Sequence, residues 1–186
     1  MNAFKKLAFI FFFLPVLFIT ASAGWRVDFF EVLDKEDKLL FRSPAALGHE
    51  FMTRYIHSVE LTPVEDEYYV VSGKLWAWEE RVRSSKAGMP SVRPEKGRYI
   101  QTPMWMIYQG GRMSWNEYYY RIGNDRLGLN QAVFRPFGLR NLYEIFPGKR
   151  LVVRVERRPF LFASTYFTDE LENAPTNVHP INSFKR

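Results

Sequence analysis

Residues 50–71 read EFMTRYIHSVELTPVEDEYYVV. At period two, Phe51, Tyr55, His57 and Val59 fall on one side and Met52, Arg54, Ile56 and Ser58 on the other, the chain breaks at TPVED, and a second run returns through Tyr68 and Val70. Alternation on both sides of a polar break predicts two antiparallel strands with one face buried. Pro63 presets φ and so marks the turn. For a hairpin centred on Pro63–Val64, Glu60 lies opposite Glu67 and Ser58 opposite Tyr69. Carboxylates in facing positions repel, so a hard cation, an arginine or lysine of another strand, or a ligand amine has to offset them. In a regular strand His57 points to the opposite face, and a bulge is needed to bring it to the acids.

The same rhythm continues outward. WRVDFFEVLD and KLLFRS read as strands around the charged turn KEDK, KLWAWEERVR as another, and KRLVVRVERR as a closing strand. Gly110–Gly111 in TPMWMIYQGGRMSWNEYYYRI carries the signature of a two-residue hairpin turn, which would set Met106 against Trp115 and Tyr108 against Met113. One helical turn is expected in RNLYEIF. The stretch SSKAGMPSVRPEKG has no apolar rhythm and reads as a long loop. Short strands with turn signals between them predict a mainly β chain, a single antiparallel β-sandwich or barrel-like domain.

Domain limits follow from the two ends. MNAFKK, then LAFIFFFLPVLFI, then ASA ending at Ala23 has the basic, apolar and small-x-small order of an export signal. The expected organisation is a signal peptide at 1–23, a β domain at 24–165, and a polar, proline-broken tail at 166–186 that frays. Its competitor is an uncleaved signal, with residues 7–23 anchoring the chain to the inner membrane. Removing Lys5 and Lys6 with the signal lowers the formal charge from +6 to +4. The 186 residues contain no cysteine, which excludes thiol catalysis, cysteine-ligated metals and disulfides, and suits a periplasm. Nucleic acid is an unsuitable partner for an exported chain without a reading motif.

Catalytic and metal motifs are weak. His49, His57 and His179 lack metal-ligand spacing, and Glu65, Asp66 and Glu67 are consecutive rather than alternating as in a calcium loop. A divalent cation between Glu60 and Glu67 is the one metal reading the hairpin allows; otherwise no cofactor is expected. No nucleophile motif or phosphate loop is present, so the expected class is not an enzyme. Trp76 and Trp78 share a strand face. With Glu60 and Glu67 they define the alternative, a cell-envelope carbohydrate-binding domain or a glycan hydrolase.

HSVELTPVEDEYYV together with the later KAGMP resembles the signature of the domain of unknown function 1850, with an H-S-V-E-x-T-P-V segment, an acidic position, and a G-A-G-[LM]-P-like loop. The likeness runs from Phe29 to Arg158 and includes GKRLVVRV as closing strand. It marks His57, Ser58, Glu60, Thr62, Pro63, Glu67, Ala87, Gly88 and Pro90, and departs at Lys86, where the family loop has glycine, and in a longer SVRPEKGRYIQTP stretch. The resemblance implies a small exported or membrane-anchored protein encoded beside TRAP transporter permeases that use a TAXI-type substrate-binding protein. The permease or the binding protein is then the expected partner. Two readings of the motif stand at this point. Either His57, Ser58, Glu60, Thr62 and Glu67 meet Lys86, Gly88 and Pro90 in a ligand or partner site, or acids and bases form an ion-pair cluster that pins a loop.

Overall fold

The computed structural model describes residues 3–45, 48, 50–86, 88–90, 95–160 and 164–176. An apolar helix, α1 (Ala3–Gly24), precedes the first strand; it contains Pro15, and residues 11–20 expose their side chains. Among the described residues no helix is long and apolar enough to cross a membrane.

The chain then forms β1 (Arg26–Leu33), β2 (Leu39–Pro44), β3 (Glu50–Ile56), β4 (Pro63–Val71), β5 (Lys74–Val82), β6 (Arg98–Gln101), β7 (Met106–Trp115), β8 (Glu117–Arg121), β9 (Gln131–Phe134), β10 (Gly138–Asn141), the helical turn α2 (Leu142–Ile145), β11 (Arg150–Pro159), β12 (Tyr166–Phe167) and the helical turn α3 (Asp169–Glu172). A five-stranded sheet runs β12-β2-β1-β11-β8 and a seven-stranded sheet runs β10-β9-β3-β4-β5-β7-β6, every pair antiparallel. The mainly β sandwich expected from the alternation is the observed fold.

Four phenylalanines lock the layers together. Phe30 of β1 and Phe41 of β2 meet Phe51 of β3 and Phe134 of β9, with ring centroids 4.8 Å apart for Phe30–Phe51 and 4.9 Å for Phe41–Phe134. Each is at most 1% exposed. Each falls on an inward position of its strand, which is why period two could be read from sequence. Among the described residues a second cluster, Val64, Val82, Met89 and Tyr108, draws nothing from the five-stranded sheet. There the seven-stranded sheet extends past its partner, and the loop residue Met89 covers the apolar end.

Three expectations change. Gly110 and Gly111 do not turn the chain, because β7 runs through them and pairs with β5 on both sides, from Leu75↔Trp115 to Val82↔Met106. Between Ala77↔Met113 and Glu79↔Gln109 the strand carries residues 110–112 against Trp78 alone, so the positive φ of Gly110 serves a bulge. The stretch from 166 onward is not a frayed tail as far as it is described. Tyr166 and Phe167 pair with β2, and Leu171 and Ala174 are buried; residues 177–186, His179 among them, lie outside the described residues, as does His49. The third change, in the β3–β4 register, alters the site.

Candidate functional site

Ile56 pairs with Pro63, Tyr55 with Val64 and Met52 with Glu67. The hairpin is therefore not centred on Pro63–Val64; its loop is His57–Thr62, and Pro63 opens β4. A first strand position suits a residue without an N–H to give. Glu60 lies in the loop, whereas Glu67 is four residues into β4, roughly 13 Å along the strand from Pro63 at about 3.3 Å per residue. The facing Glu60–Glu67 pair, and with it a shared divalent cation or a two-carboxylate glycosidase centre, is excluded by this register.

His57 shapes the loop instead. Its N–H donates to the Thr62 carbonyl at 2.9 Å, and its carbonyl accepts from the Leu61 N–H at 2.9 Å. Its ring Nδ1 accepts from the N–H groups of Glu60 at 3.2 Å and Val59 at 3.4 Å. An accepting Nδ1 places the proton of the neutral ring on Nε2. Leu61 takes a φ of 52°, and the tightened loop turns Ser58, Val59 and Leu61 outward to solvent. His57 and Ser58 also line a cavity of about 270 Å³ shared with Tyr55, Arg121, Gly128 and Asn130.

The loop after β5 joins this turn through Glu60. Ser84 donates its hydroxyl to Glu60 Oε2 at 2.8 Å and accepts the Lys86 N–H at 3.2 Å. A turn closes between the Met89 N–H and the Lys86 carbonyl at 3.1 Å, with Gly88 at φ 85° in the left-handed region. Met89 is buried, and Tyr108 donates its hydroxyl to the Pro90 carbonyl at 2.8 Å. The Lys86 side chain and Gly88 remain exposed; Ala87 lies outside the described residues. Ser84 thus brings the loop after β5 against Glu60, and among the described residues no lysine or arginine forms a salt bridge with Glu60.

Glu67 belongs elsewhere. It points to the outward face of the seven-stranded sheet, where Arg81 binds Glu67 at 3.1 Å, Glu65 at 3.3 Å and Glu79 as well, while Arg54 holds Glu65 at 2.7 Å. Glu67 and Glu79 are in register on β4 and β5, and the guanidinium offsets their repulsion. Tyr69 donates its hydroxyl to Glu67 at 2.8 Å, and that bond, with burial and the Glu67 charge, pushes the phenol up to about 12. For Glu67 the ion-pair reading holds. Among the described residues no group of three or more histidine, aspartate or glutamate side chains is placed to hold a metal ion.

The in-register acids that face the interior are Asp66 and Glu80. They border a second cavity, about 240 Å³, with Tyr55, Tyr68, Trp115 and Tyr118. Burial, then the charge of Asp66, drives the Tyr55 and Tyr68 hydroxyls well above the usual phenol range. Tyr55 is the wall between this cavity and the one at His57. Sequence reasoning passed over Asp66–Glu80 and the far wall at Arg121–Asn130. The first depends on the β4–β5 register; the second sits in a segment with no apolar period.

That far wall is tightly built. Asn130, buried, accepts the Gly123 N–H at 2.6 Å and donates to the Tyr120 hydroxyl at 2.9 Å, and the Gly128 carbonyl accepts the Ile56 N–H at 2.6 Å. A Cβ on Gly123 would meet the Leu127 carbonyl, a backbone group with no rotamer to give. Gly123→Ala is expected to destabilise the fold by about 1–3 kcal/mol in urea unfolding, while Gly24→Ala, with nothing near its Cβ, leaves it unchanged.

No curated protein and no solved structure matches the chain. A family model matches residues 51–135, which contain the His57–Thr62 turn, the Ser84–Pro90 loop and every residue named in both cavities. That segment, less than half of the chain, is similar to the family described as domain of unknown function (DUF1850).

Proposed function

We propose that the protein is an exported, non-enzymatic accessory protein of a TAXI-type TRAP solute transport system, working in the periplasm, and that the His57–Thr62 turn contacts the permease or the substrate-binding protein. The observation that carries this reading is the exposure of Val59 and Leu61, 70% and 65%, on a loop whose backbone is fixed by His57. Two large apolar side chains held outward on an ordered turn suit a protein contact, because little conformational entropy is left to lose on binding. Ser84 ties the Lys86–Pro90 loop to the same end, which sets an exposed lysine beside the apolar tip.

Co-purification of the tagged chain with the TRAP components of the same cell tests this. The wild-type chain retains the permease or the binding protein, and the Val59→Glu/Leu61→Glu double variant, folded by circular dichroism, loses at least ten-fold of that retention. Equal retention by the variant, or none by the wild type, overturns the reading.

A further inference from the structure

The outward face of the seven-stranded sheet holds a third cavity, about 630 Å³, lined by Tyr69 and Val71 of β4, Trp76 and Trp78 of β5, and Gly97 and Gly110. None of these residues belongs to the His57 turn or its loop. The volume falls within the range of small-molecule sites, roughly 300–1,000 Å³.

Its walls are specific. Trp78 is the extra residue of the β5 bulge, unopposed on β4 between Tyr68↔Ala77 and Glu67↔Glu79, and it stands edge-on to Tyr69 with centroids 6.2 Å apart at 88°. A Cβ on Gly97 would strike the Gln109 carbonyl, and one on Gly110 would lie 2.6 Å from the Gly97 Cα. Both glycines take positive φ, so this wall is bare backbone by necessity. The polar ends of two rings are already engaged: the Tyr69 hydroxyl donates to Glu67, and Trp76 Nε1–H donates to the Val71 carbonyl at 3.3 Å. Beside them Glu67 and Glu79 are held by Arg81.

We propose that this cavity binds a small planar aromatic compound, uncharged in the part that enters. Tyr69 and Trp78 in a T-shaped pair, with Trp76 beside them, offer ring faces and edges to a flat apolar body. A sugar would need hydrogen-bonding partners around its hydroxyls, and Tyr69 and Trp76 have theirs committed within the sheet.

Indole is the probe, titrated calorimetrically into the full-length chain in parallel with methyl α-D-glucopyranoside. Indole binds saturably at one site and the glucoside does not. Trp78→Ala removes one wall, and Val71→Glu, at a half-exposed position, places a charge in the cavity. Each weakens indole at least ten-fold while the variants melt as cooperatively as the wild type, and Val59→Glu/Leu61→Glu leaves indole binding unchanged. Saturation by the glucoside alone, binding of neither probe, or indole binding indifferent to both Trp78→Ala and Val71→Glu overturns the proposal. Loss through Val59→Glu/Leu61→Glu would also overturn it by placing the ligand at the turn.

Discussion

Glu31→Gln will lower the unfolding free energy by about 3 kcal/mol at pH 7 and the melting temperature by roughly 6–12 °C. Glu31 is fully buried on β1, and its cross-strand partners are Arg42 of β2 and Arg154 of β11. Arg42 Nε donates to Oε1 at 2.7 Å, Arg154 Nε to Oε2 at 2.9 Å, and Arg158 lies 3.2 Å from Oε1. A neutral amide leaves those guanidiniums facing one another without their anion. The cost stays near the low end for a broken buried pair because the arginines keep 23–32% of their side chains exposed and can turn toward water.

The pH dependence identifies the cause. Burial alone would raise the Glu31 carboxyl, but hydrogen bonds from Arg154 and Arg42 and the charges of Arg42 and Arg158 outweigh it, so the group titrates below its ordinary 4.5. A folded-state value depressed in this way stabilises the fold at all pH above the unfolded value. That stability is lost as pH falls through the folded value. Urea unfolding of wild type and Glu31→Gln should therefore differ most above about pH 5 and converge as the medium is acidified below 4.5. A gap of constant size across that window would mean that shape, not charge, accounts for the loss.

What sequence discloses here divides along one physical line. Alternation shows which strands have a buried face, and β1, β2, β5 and β11 were visible for that reason. It does not show which strand lies alongside. Pro63 looked like the centre of a turn because its φ is fixed, yet fixed φ and a missing N–H serve equally well at the start of a strand. The displaced register separated Glu60 from Glu67 and put Glu67 into the Arg81 cluster. Gly110–Gly111 had the composition of a hairpin turn, and the continuous edge of β5 used it as a bulge. Within the site, the sequence left open whether the two motif segments meet, and in the structure Glu60 accepts a hydrogen bond from Ser84. That the donor is Ser84 follows only from where β5 ends. Phe167 and Leu171 were hidden differently, as isolated apolar residues in a polar stretch too short to show a period.

Phe41→Ala carries the largest expected loss of any substitution proposed here, about 4 kcal/mol, seen as a fall in melting temperature of roughly 8–16 °C. Phe41 is fully buried and stands in the four-ring contact between the sheets, 6.0 Å from Phe30 and 4.9 Å from Phe134, and also edge-on to Phe167 at 5.1 Å. Truncation removes apolar area and leaves a void that its neighbours, themselves aromatic and fixed by strands, cannot close. Because Phe167 sits on β12 against β2, amide exchange at the Thr168 N–H, which is bonded to the Leu40 carbonyl at 3.0 Å, should accelerate along with the global loss. Phe137, which touches the same ring at 5.8 Å but is 38% exposed, provides the control, and Phe137→Ala should cost less than half as much. Equal costs for the two would locate the sandwich's cohesion away from the four-ring contact. The second cluster of Val64, Val82, Met89 and Tyr108 would then be the core that holds the domain together.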